Sequence, residues 1–157
     1  MLRLHRLSAL FPDLCTFGRE RIFIAINAVD VVLTQIVRAA DDEQFAVLAY
    51  CLMPDHLHIL AEAESESADA RRFIKRAKQL SGFYYSKQFG RQLWQRYSFE
   101  RVLRSEDDTL GVAKYVLENP VRGGLVQSPQ DYEFSGSMRY SVPEILEAVS
   151  WKGPGSA

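Results

Sequence analysis

The sequence predicts an α+β fold in which an antiparallel sheet is covered by helices on one face. Two β-rich runs, Gln44 to Met53 and His56 to Glu62, flank Pro54-Asp55 as the strands of a hairpin flank their turn. From Ala68 to Phe89, the apolar residues Phe73, Ala77, Leu80 and Tyr84 recur at three- and four-residue steps, the spacing of an amphipathic helix. The order of elements is strand, helix, strand, strand, helix, strand, helix. Such an order closes most simply as a sheet with its helices packed across it.

Each element has a local reason. Leu10 to Phe17 and Arg21 to Ala25 read as short β-like pieces separated by turn residues. Asn27 caps a helix from Ala28 to Ala40, where Val31, Val32, Gln35 and Ile36 keep helical spacing. Asp41-Asp42-Glu43 ends it. After the hairpin, Glu62 to Asp69 is an acidic, Ser-rich connection into the long basic helix. Phe99 to Leu103 reads as a strand. Ser105 opens another helix, with Asp108 three residues on in a capping-box-like position, and Asn119-Pro120 stops it. Residues 1–142 form a single domain on this reading. Residues 143–157 form a C-terminal helix, near Pro143 to Val149, and a tail.

Composition narrows the function. At 157 residues, 47% hydrophobic and 25% charged, the chain matches an ordinary globular protein of one domain. No apolar run is long enough to span a membrane, and no signal peptide is legible, so a cytoplasmic protein is expected. Cys15 and Cys51 lack Cys-x-x-Cys spacing and read as buried, reduced thiols. The net charge of −1 hides an asymmetry. The stretch 67–104 holds ten basic and two acidic residues. A basic block in a neutral chain suits a polyanion, here nucleic acid, on one side of the molecule. The cations expected to meet it are Arg71, Arg72, Lys75, Arg76 and Lys78 of the long helix, with Arg96 beyond it. Trp94 is either a core residue or a stacking platform for a base.

The chemistry concentrates at Met53-Pro54-Asp55-His56-Leu57-His58. Side chains alternate along a strand, so His56 and His58 share a face while Leu57 points to the other. Two imidazoles on a rigid strand supply most of a divalent-metal site. Tyr115 and Asn119 are four residues apart on one helix and share its face. Alone, Tyr115 fits a half-buried core tyrosine and Asn119 a cap before a proline. Together with the histidines they complete a chemical set. Two imidazoles and an amide oxygen would hold a metal, and a phenol would attack a phosphodiester that the metal polarises.

In this arrangement the chain resembles the REP-associated tyrosine transposases, a branch of the insertion-sequence-200-like single-tyrosine HUH transposases. The resemblance rests on four segments in order: Tyr50 through Leu60 with its His-Leu-His; Leu93-Trp94-Gln95-Arg96 through Arg104; Tyr115 through Val126 with its Asn119-Pro120-Val121; and Asp131 through Ser137. It implies a ferredoxin-like, RRM-like sheet, the HUH nuclease fold. It implies Tyr115 as nucleophile, His56 and His58 as metal ligands, Asn119 as a third polar ligand, and Mg²⁺ or Mn²⁺ as the ion. It further implies cleavage of single-stranded DNA beside hairpins of repetitive extragenic palindromes through a 5′-phosphotyrosine, by a monomer or a homodimer. The family's first strand is only weakly legible here, with Cys15-Thr16-Phe17 resembling its end.

Two other readings compete. A domesticated relative would grip hairpin DNA without cutting it. A zinc hydrolase would need a third strong protein ligand, and the only other histidine is His5.

Overall fold

The computed structural model describes residues 9–98, 102–103 and 109–149. The first strands are β1 (Ala9–Leu10) and β2 (Asp13–Cys15), followed by α1 (Ile26–Asp42), β3 (Phe45–Met53) and β4 (His56–Ala63). Then come α2 (Ala70–Phe89), β5 (Val102–Leu103), α3 (Thr109–Leu117), α4 (Asn119–Arg122), β6 (Ser135–Gly136) and α5 (Val142–Leu146). The sheet runs β5-β1-β4-β3-β6, with β2 also paired to β4, and every pairing is antiparallel. Taking β1 and β2 as one interrupted strand, the order through β5 is that of a ferredoxin-like βαββαβ unit. The weakly legible first strand is therefore present, held along β4 from Ala9↔Glu62 to Cys15↔His56.

The hairpin and the long helix form where their patterns place them. Asp69 caps α2 by accepting from the backbone N–H groups of Arg71 and Arg72. Gly90 ends it at φ 73°, a conformation that glycine adopts without a side-chain clash. The stretch Arg21 to Ala25 is a turn rather than a strand. The backbone N–H groups of Ile22 and Phe23 both donate to the Pro54 carbonyl, which leaves no partner strand for this segment. Ser105 and Asp108 lie outside the described residues.

Helices cover both faces of the sheet, not one. Helices α1 and α2 pack on the face that carries Leu14, Leu52, Leu57 and Ile59, with Phe45 stacked on Phe73 at 4.8 Å. Helix α3 packs on the other face, where Val112, Ala113, Val116 and Leu117 meet Phe11, Leu48, Cys51 and Met53. The apolar face of α3 can be satisfied only there, because α1 and α2 already occupy the first face. The buried Ile145 of α5 completes this second core. Among the described residues, no helix is long and apolar enough to cross a membrane.

Candidate active site

The site begins with strand register. Pairing of β2 to β4 sets Asp13 opposite His58 and Cys15 opposite His56, while Leu14 faces Leu57 in the α1/α2 core. Asp13, His56 and His58 thus share one face, and one ligand atom from each lies within 4.8 Å of the others. The imidazole centroids are 4.8 Å apart and nearly perpendicular. Both histidines are largely buried, with side chains 19% and 17% exposed. Asp13 was not legible as a site residue in the sequence. The only signal was the alternation Asp13-Leu14-Cys15, a carboxylate one step from a buried leucine.

The electrostatics favour a cation. His58 Nδ1 and Asp13 Oδ1 are buried 3.9 Å apart, and neither has a hydrogen-bond partner. Two buried lone-pair groups facing each other are costly unless something positive sits between them. Burial, with smaller contributions from His56 and Arg122, pushes His58 down to about 3, so its ring stays neutral and able to ligate. Burial also raises the pKa of Asp13, against the opposing pull of His56 and Arg19. These residues therefore fit a divalent ion: two imidazoles and one carboxylate whose charge the ion would neutralise.

A test follows from the direction of the Asp13 shift. A carboxyl whose folded-state pKa lies above its unfolded value costs stability when ionised, and therefore at neutral pH. Asp13→Asn should raise the melting temperature of the metal-free protein by a few degrees while losing the further rise that Mn²⁺ gives the wild type. A lower melting temperature without metal would show that the carboxylate is needed for folding instead.

His56 has its own support. Its Nδ1 lies 2.7 Å from Asp55 Oδ1, which leaves Nε2 available to an ion. Arg19 Nε donates to the other Asp55 oxygen at 3.1 Å, and its Nη1 lies 3.0 Å from Cys15 Sγ. Burial works against ionised Asp55, but the hydrogen bonds from His56 and Arg19 outweigh it and hold the carboxyl below its usual range. The turn is clamped as well, since the Thr16 N–H and hydroxyl both donate to the Asp55 carbonyl. Removing such a partner typically weakens metal binding by about 10–100-fold. Asp55→Ala should do so in calorimetric titration with Mn²⁺, with an unchanged circular dichroism spectrum.

The tyrosine helix lies across the same face. The Phe11 ring is 5.7 Å from His58 and 6.3 Å from Tyr115, so one ring touches both. The Arg122 guanidinium sits 3.7 Å from the centre of the Tyr115 ring and donates to the Tyr115 carbonyl at 2.7 Å. Its charge also reaches His58, adding to the burial that lowers that ring's pKa, and Cys51, where it only partly offsets the burial that pushes the thiol up. Arg122 is a second site residue that sequence reasoning missed. Its position past Pro120 hid the fact that α4 turns it back over α3. At Gly123 a Cβ would lie 2.8 Å from Met53 Cε, the flexible end of that side chain, so α4 passes close to Met53. Asn119 begins α4, half-buried, with its amide nitrogen buried and unpartnered. A half-turn of that amide would present its oxygen instead.

The family profile described as Transposase IS200 like matches residues 14–118, most of the chain. The chain belongs to this transposase family. A protein of Haemophilus influenzae, provisionally described as a REP-associated tyrosine transposase, is 30% identical over 120 residues, covering 69% of this chain and 68% of its own. A REP-associated tyrosine transposase of Escherichia coli K12 is 28% identical over 121 residues, covering 75% and 69%. Among solved structures, a REP-associated tyrosine transposase bound to a REP hairpin superposes with a TM-score of 0.71 at 19% identity, covering 100% of this chain and 93% of that one. At that identity the likeness shows a shared fold.

The expected DNA-contacting cations are placed differently from one another. Arg72 pairs with Glu43 at 3.1 Å and Arg76 with Asp42 at 2.7 Å, at the acidic end of α1. Lys78 donates to the carbonyls of Gln95 and Arg96. Arg71, Lys75 and Arg96 are exposed. Trp94 is a core residue, 5% exposed, with its indole N–H donating to Ser81 Oγ at 2.9 Å.

Proposed function

We propose that this family member is a metal-dependent single-stranded DNA nuclease and strand transferase. Tyr115 is the nucleophile, and the ion is held by His56, His58 and Asp13, with the Asn119 amide oxygen as a further donor. The observation that carries this reading is the meeting of that cluster with the Tyr115 ring, through Phe11, on one sheet face. A divalent ion bound there would act as a Lewis acid on a non-bridging phosphate oxygen. Imidazole and carboxylate together suit Mn²⁺ better than Mg²⁺, which prefers all-oxygen surroundings.

The chain's own groups do the rest. The Tyr115 oxygen forms a bond to phosphorus as the bond to the 3′ oxygen breaks. The phenol proton leaves, and the departing oxygen takes up a proton to become a 3′-hydroxyl. The product is a 5′-phosphotyrosine, and the reverse attack by another 3′-hydroxyl rejoins strands. Arg122, stacked on the tyrosine ring, supplies a fixed positive charge for the phosphate that approaches it. The REP association named for the relatives, and the REP hairpin on the fold neighbour, support a single strand flanking a hairpin as substrate.

The test is an oligonucleotide carrying such a hairpin, incubated with the protein and Mn²⁺ and run on a denaturing gel. With a 3′ label the protein band should become labelled. With a 5′ label a free, shortened strand should appear. Retention of the hairpin on a native gel with no covalent band would instead establish a DNA-binding protein that does not cut.

A further inference from the structure

The second half of α2 and the chain that follows it enclose a groove of about 590 Å³, within the size range of small-ligand sites. Its floor is Trp94. Phe83 stands on one wall, and Arg91 and Arg96 bring cations to it. Among the described residues no carboxylate lines the groove, although Glu20 pairs with Arg91 from outside at 2.8 Å. Two other clefts differ in this respect: one is lined by Asp41 and Glu64, the other by Asp42, Glu43 and Asp69. Arg72 and Arg76 near the start of α2 are thus held by carboxylates, whereas Arg96 at the groove has no carboxylate partner among the described residues.

Two exposed aromatic rings stand beside the buried Trp94 floor. Phe83 is 59% exposed and Tyr97, just past Arg96, is 74% exposed. The Arg96 guanidinium lies 5.5 Å from the Tyr97 ring centre, making a flat, positively charged platform. The wall that carries this platform is held in place by Lys78, which donates to the carbonyls of Gln95 and Arg96 at 3.2 and 3.1 Å. The same wall borders the metal cluster: the Gln95 N–H donates to the Cys15 carbonyl, and Cys15 is the register partner of His56. Exposed rings beside the Arg96 guanidinium, on a wall hydrogen-bonded to the strand that carries Asp13, are features by which proteins hold unpaired bases.

We infer that this groove binds a short unpaired stretch of the DNA strand whose phosphodiester enters the Tyr115 site, with bases stacked on Phe83 and phosphates against Arg96. The inference rests on the proposed DNA function and adds to it a second, non-catalytic subsite that selects single strands. Gly82 allows a direct probe. A Cβ there would meet only Trp94 Cδ1, at 3.9 Å, so a larger residue fills the groove without a clash at its base.

The experiment measures fluorescence anisotropy of a labelled oligothymidylate and of a closed hairpin with no unpaired flank. Both are measured in EDTA, so that cleavage plays no part. Phe83→Ala, Gly82→Leu and Arg96→Gln should each weaken oligothymidylate binding, the first by about tenfold, and leave the closed hairpin nearly unchanged. Phe83 and Arg96 are exposed, so those variants do not threaten the fold. Unchanged oligothymidylate binding in all three would overturn the groove and leave the DNA reading standing. An equal loss for the closed hairpin would assign the groove to duplex and overturn the single-strand assignment. A wild-type protein that binds neither probe would overturn both readings.

Discussion

Tyr115→Phe should abolish covalent attachment to DNA, by at least about a thousandfold in rate, while hairpin affinity stays within a factor of about two. The expectation is sharp because the substitution removes one atom from a fixed setting. A phenyl ring at this position keeps its contact with Phe11 and its place under the Arg122 guanidinium. Packing of α3 on the second face depends on Val112, Ala113, Val116 and Leu117, which are untouched. What disappears is the oxygen proposed as the nucleophile. If a covalent band persisted in the variant, another tyrosine would have to supply it. Tyr85 is buried, at 3% exposure, whereas Tyr97, at 74%, would be the first candidate. A Tyr97 adduct would move the reaction to the groove side of the β2 edge and overturn the proposed role of Tyr115.

His58→Ala should eliminate metal-dependent cleavage and weaken Mn²⁺ binding by more than about 100-fold, since it removes a proposed ligand and not merely the support of one. The protein should remain folded, with a modest loss of stability from the vacated contact with Phe11. Stability should also respond to pH in a defined direction. His58 titrates near 6.5 in an unfolded chain, but burial holds it down to about 3 in the folded protein. Between those values the unfolded state takes up the proton first. The neutral ring's contribution is therefore complete above about pH 6.5 and is lost progressively on acidification toward pH 3. Metal-free wild type should lose stability more steeply across that window than His58→Ala in urea denaturation. Parallel curves would mean that the ring is solvated and not desolvated as the structure places it. His56→Ala should likewise lose cleavage, because the Asp55 hydrogen bond aims its second nitrogen into the same cluster.

Much of this was legible before any coordinates. The Pro54-Asp55 hairpin, the long α2 helix and the shared face of His56 and His58 follow from local periodicity, whereas Tyr115 and Asn119, expected on one helix, fall on two, because α3 ends at Leu117 and α4 starts at Asn119. The first three were readable because the contacts they predict lie within a few residues. Periodicity also says which side of an element is apolar, but not what that side meets. The placement of α3 opposite α1 and α2 was therefore not decided locally.

Asp13 shows the difference most clearly. It joins His56 and His58 only because β2 pairs with β4 in the register that sets Asp13 against His58. A slip of one residue would turn Leu14 into the site and send the carboxylate into the α1/α2 core. Arg122 depends in the same way on a helix that restarts at Asn119 and turns back over Tyr115. The cations of α2 were visible as a basic run. That Arg72 and Arg76 are held by Glu43 and Asp42 depends on how α1 and α2 pack. Sequence by itself determined the chemical inventory and the local geometry of this protein. Tertiary structure decided which distant groups share a face, because strand register and helix packing are settled by burying apolar surface across the whole chain.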